Sequence, residues 1–131
     1  MKFNALVPEL SVSNIERSKH FYINILCFQL QYERIEDKFA FISLGQAQLM
    51  LEEINGHWET AALQAPFGRG INFQIIVDNI DEMLATLQKH DVQLFRGPFT
   101  SEYAVQGRII TEKEFLVQDP DGYLLRFSQE L

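Results

Sequence analysis

The tetrapeptide Val77-Asp78-Asn79-Ile80 repeats Val12-Ser13-Asn14-Ile15 in three of four residues, 65 positions further along the chain. Each copy closes a run of alternating apolar and polar residues and opens a run with helical spacing. Before the first copy, Leu6, Pro8, Leu10 and Val12 share one face of a strand, and Val7, Glu9 and Ser11 share the other. After it, Ile15, Ser18, Phe21, Tyr22 and Ile25 recur at helical intervals, and Ser13 or Asn14 supplies a capping oxygen. The second copy runs the same way. Ile71 to Val77 alternates, Asp78 or Asn79 caps, and Ile80, Met83, Leu84 and Leu87 form an apolar stripe. A smaller echo, Gln29-Leu30 and Gln93-Leu94, follows each helix. One element order occurring twice predicts an internal βαβββ duplication.

Strands are expected at Phe28–Ile35, Phe39–Leu44 and Gln46–Ile54 in the first module (about 5–54), and near Val92–Phe95, Arg108–Gln118 and Tyr123–Ser128 in the second (about 71–131). Pro8 cannot donate a ladder hydrogen bond, which points to an edge position or one free side for the first strand. Residues 55–70 read as a linker, opened by Asn55-Gly56 and closed by Pro66-Phe67-Gly68-Arg69-Gly70. Asp119-Pro120-Asp121-Gly122 is a strong turn, with Pro presetting φ and Gly free to take a positive one.

The chain of 131 residues has one domain's length and an ordinary globular balance, 47% hydrophobic and 22% charged, which excludes disorder. Eleven Lys/Arg against eighteen Asp/Glu leave a net charge of −7, the opposite of a nucleic-acid footprint, and a neutral or cationic small partner suits it better. No apolar run approaches the ~20 residues that cross a bilayer, and Met1-Lys2-Phe3-Asn4 lacks a signal-peptide layout, so no membrane association and a cytoplasmic location are expected. The single Cys27, in the apolar run Ile25-Leu26-Cys27-Phe28, reads as a buried, inert thiol.

Four segments carry a family resemblance. They are Val7-Pro8-Glu9-Leu10, Arg17-Ser18-Lys19-His20-Phe21-Tyr22, Leu49-Met50-Leu51-Glu52, and the run from Asp119-Pro120-Asp121-Gly122 through Tyr123-Leu124-Leu125-Arg126-Phe127. On these residues the chain resembles the vicinal oxygen chelate superfamily of glyoxalases, extradiol dioxygenases and fosfomycin- and bleomycin-resistance proteins, and looks closest to the bleomycin-resistance branch. The resemblance implies an α+β fold of two βαβββ modules, forming a curved mixed sheet around a groove with the helices on its outer face. It also implies a homodimer whose grooves lie between subunits and which holds a cationic antibiotic without chemistry.

Enzymes of this superfamily hold a divalent metal with His and Glu side chains. The resemblance puts the matching positions at or beside Val7 and at Glu52, Asn72 and Arg126. One of the four keeps a ligand: Val7 offers no lone pair, Asn72 is a weak neutral donor and Arg126 has no acceptor. His20, His57 and His90 have no ligand spacing among themselves. No metal and no other cofactor is therefore expected. The first expectation is a metal-independent protein that sequesters a bleomycin-type cation or a similar small molecule. The alternative is a glyoxalase- or dioxygenase-like enzyme with an altered metal site.

Strand parity places Glu9, Ser11, Gln48, Met50, Glu52, Asn72, Gln74, Leu124 and Arg126 on the groove face. Six residues are candidates for ligand contact: Glu52, Asn72, Arg126, Trp58, Phe39 and Tyr103. Glu52 and Arg126 either anchor a ligand or pair with each other, and pairing is preferred because buried charges persist when paired. Trp58 either stacks on a flat ligand or plugs its loop onto the sheet or a partner. Phe39 and Phe41 lie on a strand whose two faces both look buried, so one face meets the groove or a second subunit. Tyr103, in a polar connection, is a rim contact or, preferably, a plain surface tyrosine. Glu112-Lys113-Glu114 reads as a solvated strand edge. Gly68-Arg69-Gly70 lacks the flanking strand and helix of a phosphate loop, and no nucleophile–histidine arrangement is discernible.

Overall fold

The computed structural model describes residues 1–131. The chain divides into two compact units, Met1–Phe67 and Gly68–Leu131, each built on one four-stranded mixed sheet. In the first unit the strands are β1 (Glu9–Val12), β2 (Gln29–Arg34), β3 (Phe39–Leu44) and β4 (Ala47–Glu53), ordered β1-β4-β3-β2. In the second they are β5 (Asn72–Ile76), β6 (Arg96–Val105), β7 (Arg108–Gln118) and β8 (Leu124–Glu130), ordered β5-β8-β7-β6. The first and last strands pair in parallel in both, and the rest are antiparallel. This is the α+β architecture of two βαβββ modules. Pro8 directly precedes β1, which is an edge strand.

The two helices begin in one way. Asn14 and Asn79 are extended residues whose side-chain oxygens accept from the backbone N–H of Arg17 and Glu82, which satisfies one orphan donor at each start. A second orphan donor reaches further. The Ile15 N–H donates to Glu53 Oε1 at 3.1 Å, and the Ile80 N–H donates to Gln129 Oε1 at 2.9 Å. Each helix is thus tied at its first residue to the last strand of its own sheet. The first helical segment starts as α1 (Ile15–Lys19) and continues as a π-helical turn over His20–Ile25; α2 spans Ile80–Lys89.

Helix contacts sort the sheet faces. In the first unit Leu10, Val12, Ala40, Ile42, Leu49 and Leu51 are buried together with Ile15, Phe21, Tyr22 and Ile25. In the second, Ile75, Phe115, Val117, Leu125 and Phe127 are buried together with Ile80 and Leu87, and the Phe115 and Phe127 rings stack at 5.3 Å. Lys113 reaches Asp81 of α2 at 2.6 Å, which fixes the odd residues of β7 on the helix side. The other face of each sheet carries the residues that parity assigned to it. No helix is long and apolar enough to cross a membrane.

Three expectations change. The strand expected near Val92–Phe95 is instead β6, Arg96–Val105, because Gly97 and Pro98 sit in a bulge between Arg96 and Phe99 and do not end the strand. Glu112-Lys113-Glu114 is not a sheet edge: β7 lies between β6 and β8, and Glu114 is fully buried. Cys27 is exposed, since its φ of 65° at the end of the π-turn turns the side chain out of the apolar run.

Gly68 shows why the second unit needs a glycine at its start. Its φ is +72°, and a Cβ there would stand 2.5 Å from Cδ1 of the Tyr123 ring. Gly68→Ala combines backbone strain with an overlap in a packed spot, so a loss of about 1–3 kcal/mol is expected in urea unfolding. Glu53 makes stability pH-dependent. The Lys38 hydrogen bond, then the Ile15 N–H, hold its carboxyl below the ordinary value of 4.5. Folding therefore favours the ionised form: the contribution is complete above about pH 4.5 and disappears as pH falls through the lower folded value. Glu53→Gln should flatten the acid limb of the stability curve in denaturant titrations between pH 3 and 6.

Candidate functional site

The six candidate residues separate into two groups of three, one in each unit. In the first unit, strand register places Phe39 directly beside Glu52 on the open face of the sheet. Trp58 follows shortly after β4, and its indole Nε1 donates to Glu52 Oε1 at 3.0 Å. Asn55 Nδ2 donates to the same oxygen at 2.8 Å. The indole N–H is thereby pinned to the sheet, while the residue stays 63% exposed. Trp58 is neither a free paddle nor a buried plug. Glu52 is 9% exposed, and its second oxygen, Oε2, makes no hydrogen bond within the protein.

Around this pair lies a cavity of ≈ 520 Å³, lined by Glu52, Trp58, His57, Asn55 and the turn Glu36–Lys38, together with Glu53 and Ile54. Its size falls in the range of small-molecule sites. Four carboxylates stand there against two cations, Lys38 engaged by Glu53 at 2.9 Å and Arg34 engaged by Asp37 at 3.1 Å, so the carboxylates remain in excess. The open face beside the cavity is aromatic. Tyr32 stacks on Phe41 at 5.2 Å, Phe3 meets Phe41 edge-on at 5.2 Å, and the Arg34 guanidinium lies 3.9 Å over the Phe39 ring. Glu9 shares this face. Burial, and then the neighbouring Glu52 charge, push its carboxyl above the ordinary range, and Arg34 pulls it partly back. An aromatic floor with an under-neutralised carboxylate rim is suited to a planar or cationic organic group.

In the second unit Asn72, Arg126 and Tyr103 meet around a residue that the sequence pattern hid. Glu114, on the central strand β7, is fully buried and accepts from the Tyr103 hydroxyl, from Ser128 Oγ at 2.9 Å and from Arg126 Nη1 at 3.4 Å. Arg126 Nε donates to Asn72 Oδ1 at 3.1 Å. Tyr103 is therefore a strand residue holding a buried carboxylate, not a plain surface tyrosine. Within its own unit, the carboxylate partner of Arg126 is Glu114. The network leaves little capacity for a ligand, because its charges and polar atoms already satisfy one another. Glu112, on the same face, is raised by burial and then by the Glu114 charge, with Arg126 opposing.

The metal positions implied by the resemblance do not fit a divalent cation. Val7 has no donor atom, Asn72 Oδ1 is taken by Arg126, and Arg126 itself places a fixed positive charge at the last position. Neither unit brings three His, Cys, Asp or Glu side chains together for a metal ion.

The model of the Glyoxalase/Bleomycin resistance protein/Dioxygenase superfamily matches residues 3–127, and the chain belongs to that superfamily. Bleomycin resistance proteins of Geobacillus stearothermophilus and Staphylococcus aureus are each 28% identical to it over 134 residues, covering 95% of this chain and 96% of theirs. The crystal structure of TioX from Micromonospora sp. ML1 superposes with a TM-score of 0.74 at 15% identity, covering 98% of this chain and 100% of that one, a likeness of fold alone.

Glu114 tests the second unit. Glu114→Ala strips three donors of their acceptor and leaves the Arg126 charge without its counter-ion, so a loss of about 3–5 kcal/mol is expected in equilibrium unfolding. Tyr103→Phe removes one bond to a charged acceptor and should cost about 1.5–3 kcal/mol.

Proposed function

We propose that the protein is a metal-independent binding protein that sequesters a bleomycin-type cation, or a small molecule of similar chemistry, on the open face of its first module. The observation that carries this reading is the Glu52–Trp58 pair: a nearly buried carboxylate with one unpartnered oxygen, beside an exposed indole, in a cavity of ligand size. The net charge of −7 and the under-neutralised rim favour a cationic guest. The names of the relatives point the same way, and the donor set argues against metal chemistry at the positions the enzymes of the superfamily use.

On this reading a second copy of the chain completes the groove. Phe3, Leu30 and Tyr32, on or beside the edge strand β2, leave apolar surface exposed where a partner would cover it. The protein would act in the cytoplasm as a homodimer, without nucleic-acid or membrane partners.

Isothermal titration of bleomycin into chelator-treated protein tests the proposal. Saturable binding near one drug per chain is expected, and Trp58→Ala and Glu52→Gln should each weaken it by about tenfold or more. Absence of heat at high protein concentration would remove the drug-binding reading while leaving the family assignment intact.

A further inference from the structure

The seat for a cation on the open face of the first module already has an occupant from the chain itself. The Arg34 guanidinium lies 3.9 Å over the Phe39 ring and its Nε donates to Asp37 Oδ2 at 3.1 Å. Phe39 is 3% exposed beneath it and sits in register with Glu52, while Asp37 lines the cavity that Trp58 and Glu52 share. An aromatic face with an in-plane carboxylate is matched to a flat, delocalised cation, which can stack and hydrogen-bond at once; a compact ammonium can do only one of these well. The clamp is weak. Arg34 and Asp37 are 49% and 60% exposed, where ion pairs and cation–π contacts contribute little.

We infer that Arg34 is a built-in competitor, and that the ligand's cationic group is a planar guanidinium or amidinium type that binds by displacing it from Phe39 and Asp37. This deepens the proposed binding function and rests on the same face. Displacement makes Arg34 a specificity residue: it must be outcompeted, and a guest that cannot stack on the vacated ring gains nothing from moving it.

The test compares phenylguanidinium with benzylammonium, both followed by the fluorescence of Trp58, the sole tryptophan. Arg34→Gln should bind phenylguanidinium about tenfold tighter than wild type and benzylammonium by a clearly smaller factor. Arg34→Lys keeps the charge but frees the ring, so it should retain part of the gain for the planar probe. In the wild type, adding phenylguanidinium should shift the Arg34 Nε–H NMR resonance as the side chain leaves the ring current. Equal gains for both probes would reduce Arg34 to a general charge effect, and no gain for the planar probe, or an unmoved Nε–H resonance at saturation, would overturn the inference. Because the probes are independent of bleomycin, the two readings fail separately: bleomycin binding without any Arg34 effect defeats only this one, and the Arg34 effect without bleomycin binding defeats only the drug assignment.

Discussion

The hydrogen bond from the first residue of each helix to the last strand of its sheet is the constraint on which the rest of the molecule depends. Ile15 N–H reaches Glu53 and Ile80 N–H reaches Gln129, beside the Asn14 and Asn79 caps. These bonds use donors that no helix can satisfy internally, so they cost the helix nothing it could otherwise use. They also fix which face of each sheet the helix covers. With one face committed to Ile, Leu, Val and Phe, the period of two sends every alternate residue of the same strands to the opposite face. The open face is thus a consequence of the tether, and its chemistry is free to vary.

Much of this was legible because it follows from local pattern. The repeated Val-x-Asn-Ile marks both helix starts, and the alternation of Leu49, Met50, Leu51 and Glu52 puts Glu52 on the open face without any knowledge of its neighbours. What stayed hidden depended on strand order. Gly97 and Pro98 interrupt the pattern of β6, and beyond them the edge strand alternates only between half-buried and exposed residues, with the polar Ser101 on its half-buried side, so no apolar/polar alternation is written into the sequence. Missing β6 leaves β7 looking like an edge, and an edge makes Glu114 look solvated. One unread strand therefore concealed both the buried carboxylate and the role of Tyr103. Parity still held a clue, since Glu112, Glu114 and Leu116 fall on the face of Arg126. Cys27 failed for a different reason: a left-handed backbone at a helix end reverses a side chain's direction, and nothing in Ile25-Leu26-Cys27-Phe28 announces it.

The duplicated modules carry one frame and two chemistries. In the second unit a buried carboxylate is matched by a tyrosine, a serine and an arginine, so its charge is internally satisfied. In the first, Glu52 is held through one oxygen only, Trp58 is pinned by its N–H while remaining exposed, and Phe39 is covered by a lightly held guanidinium. A binding face needs groups that are positioned but not used up, because a fully paired network must be broken before it can accept a guest. By that criterion the two copies have separated their tasks. Module two uses its polar atoms for its own stability, whereas module one leaves an oxygen, an indole and a lightly held guanidinium on its open face, the groups on which the proposed binding rests.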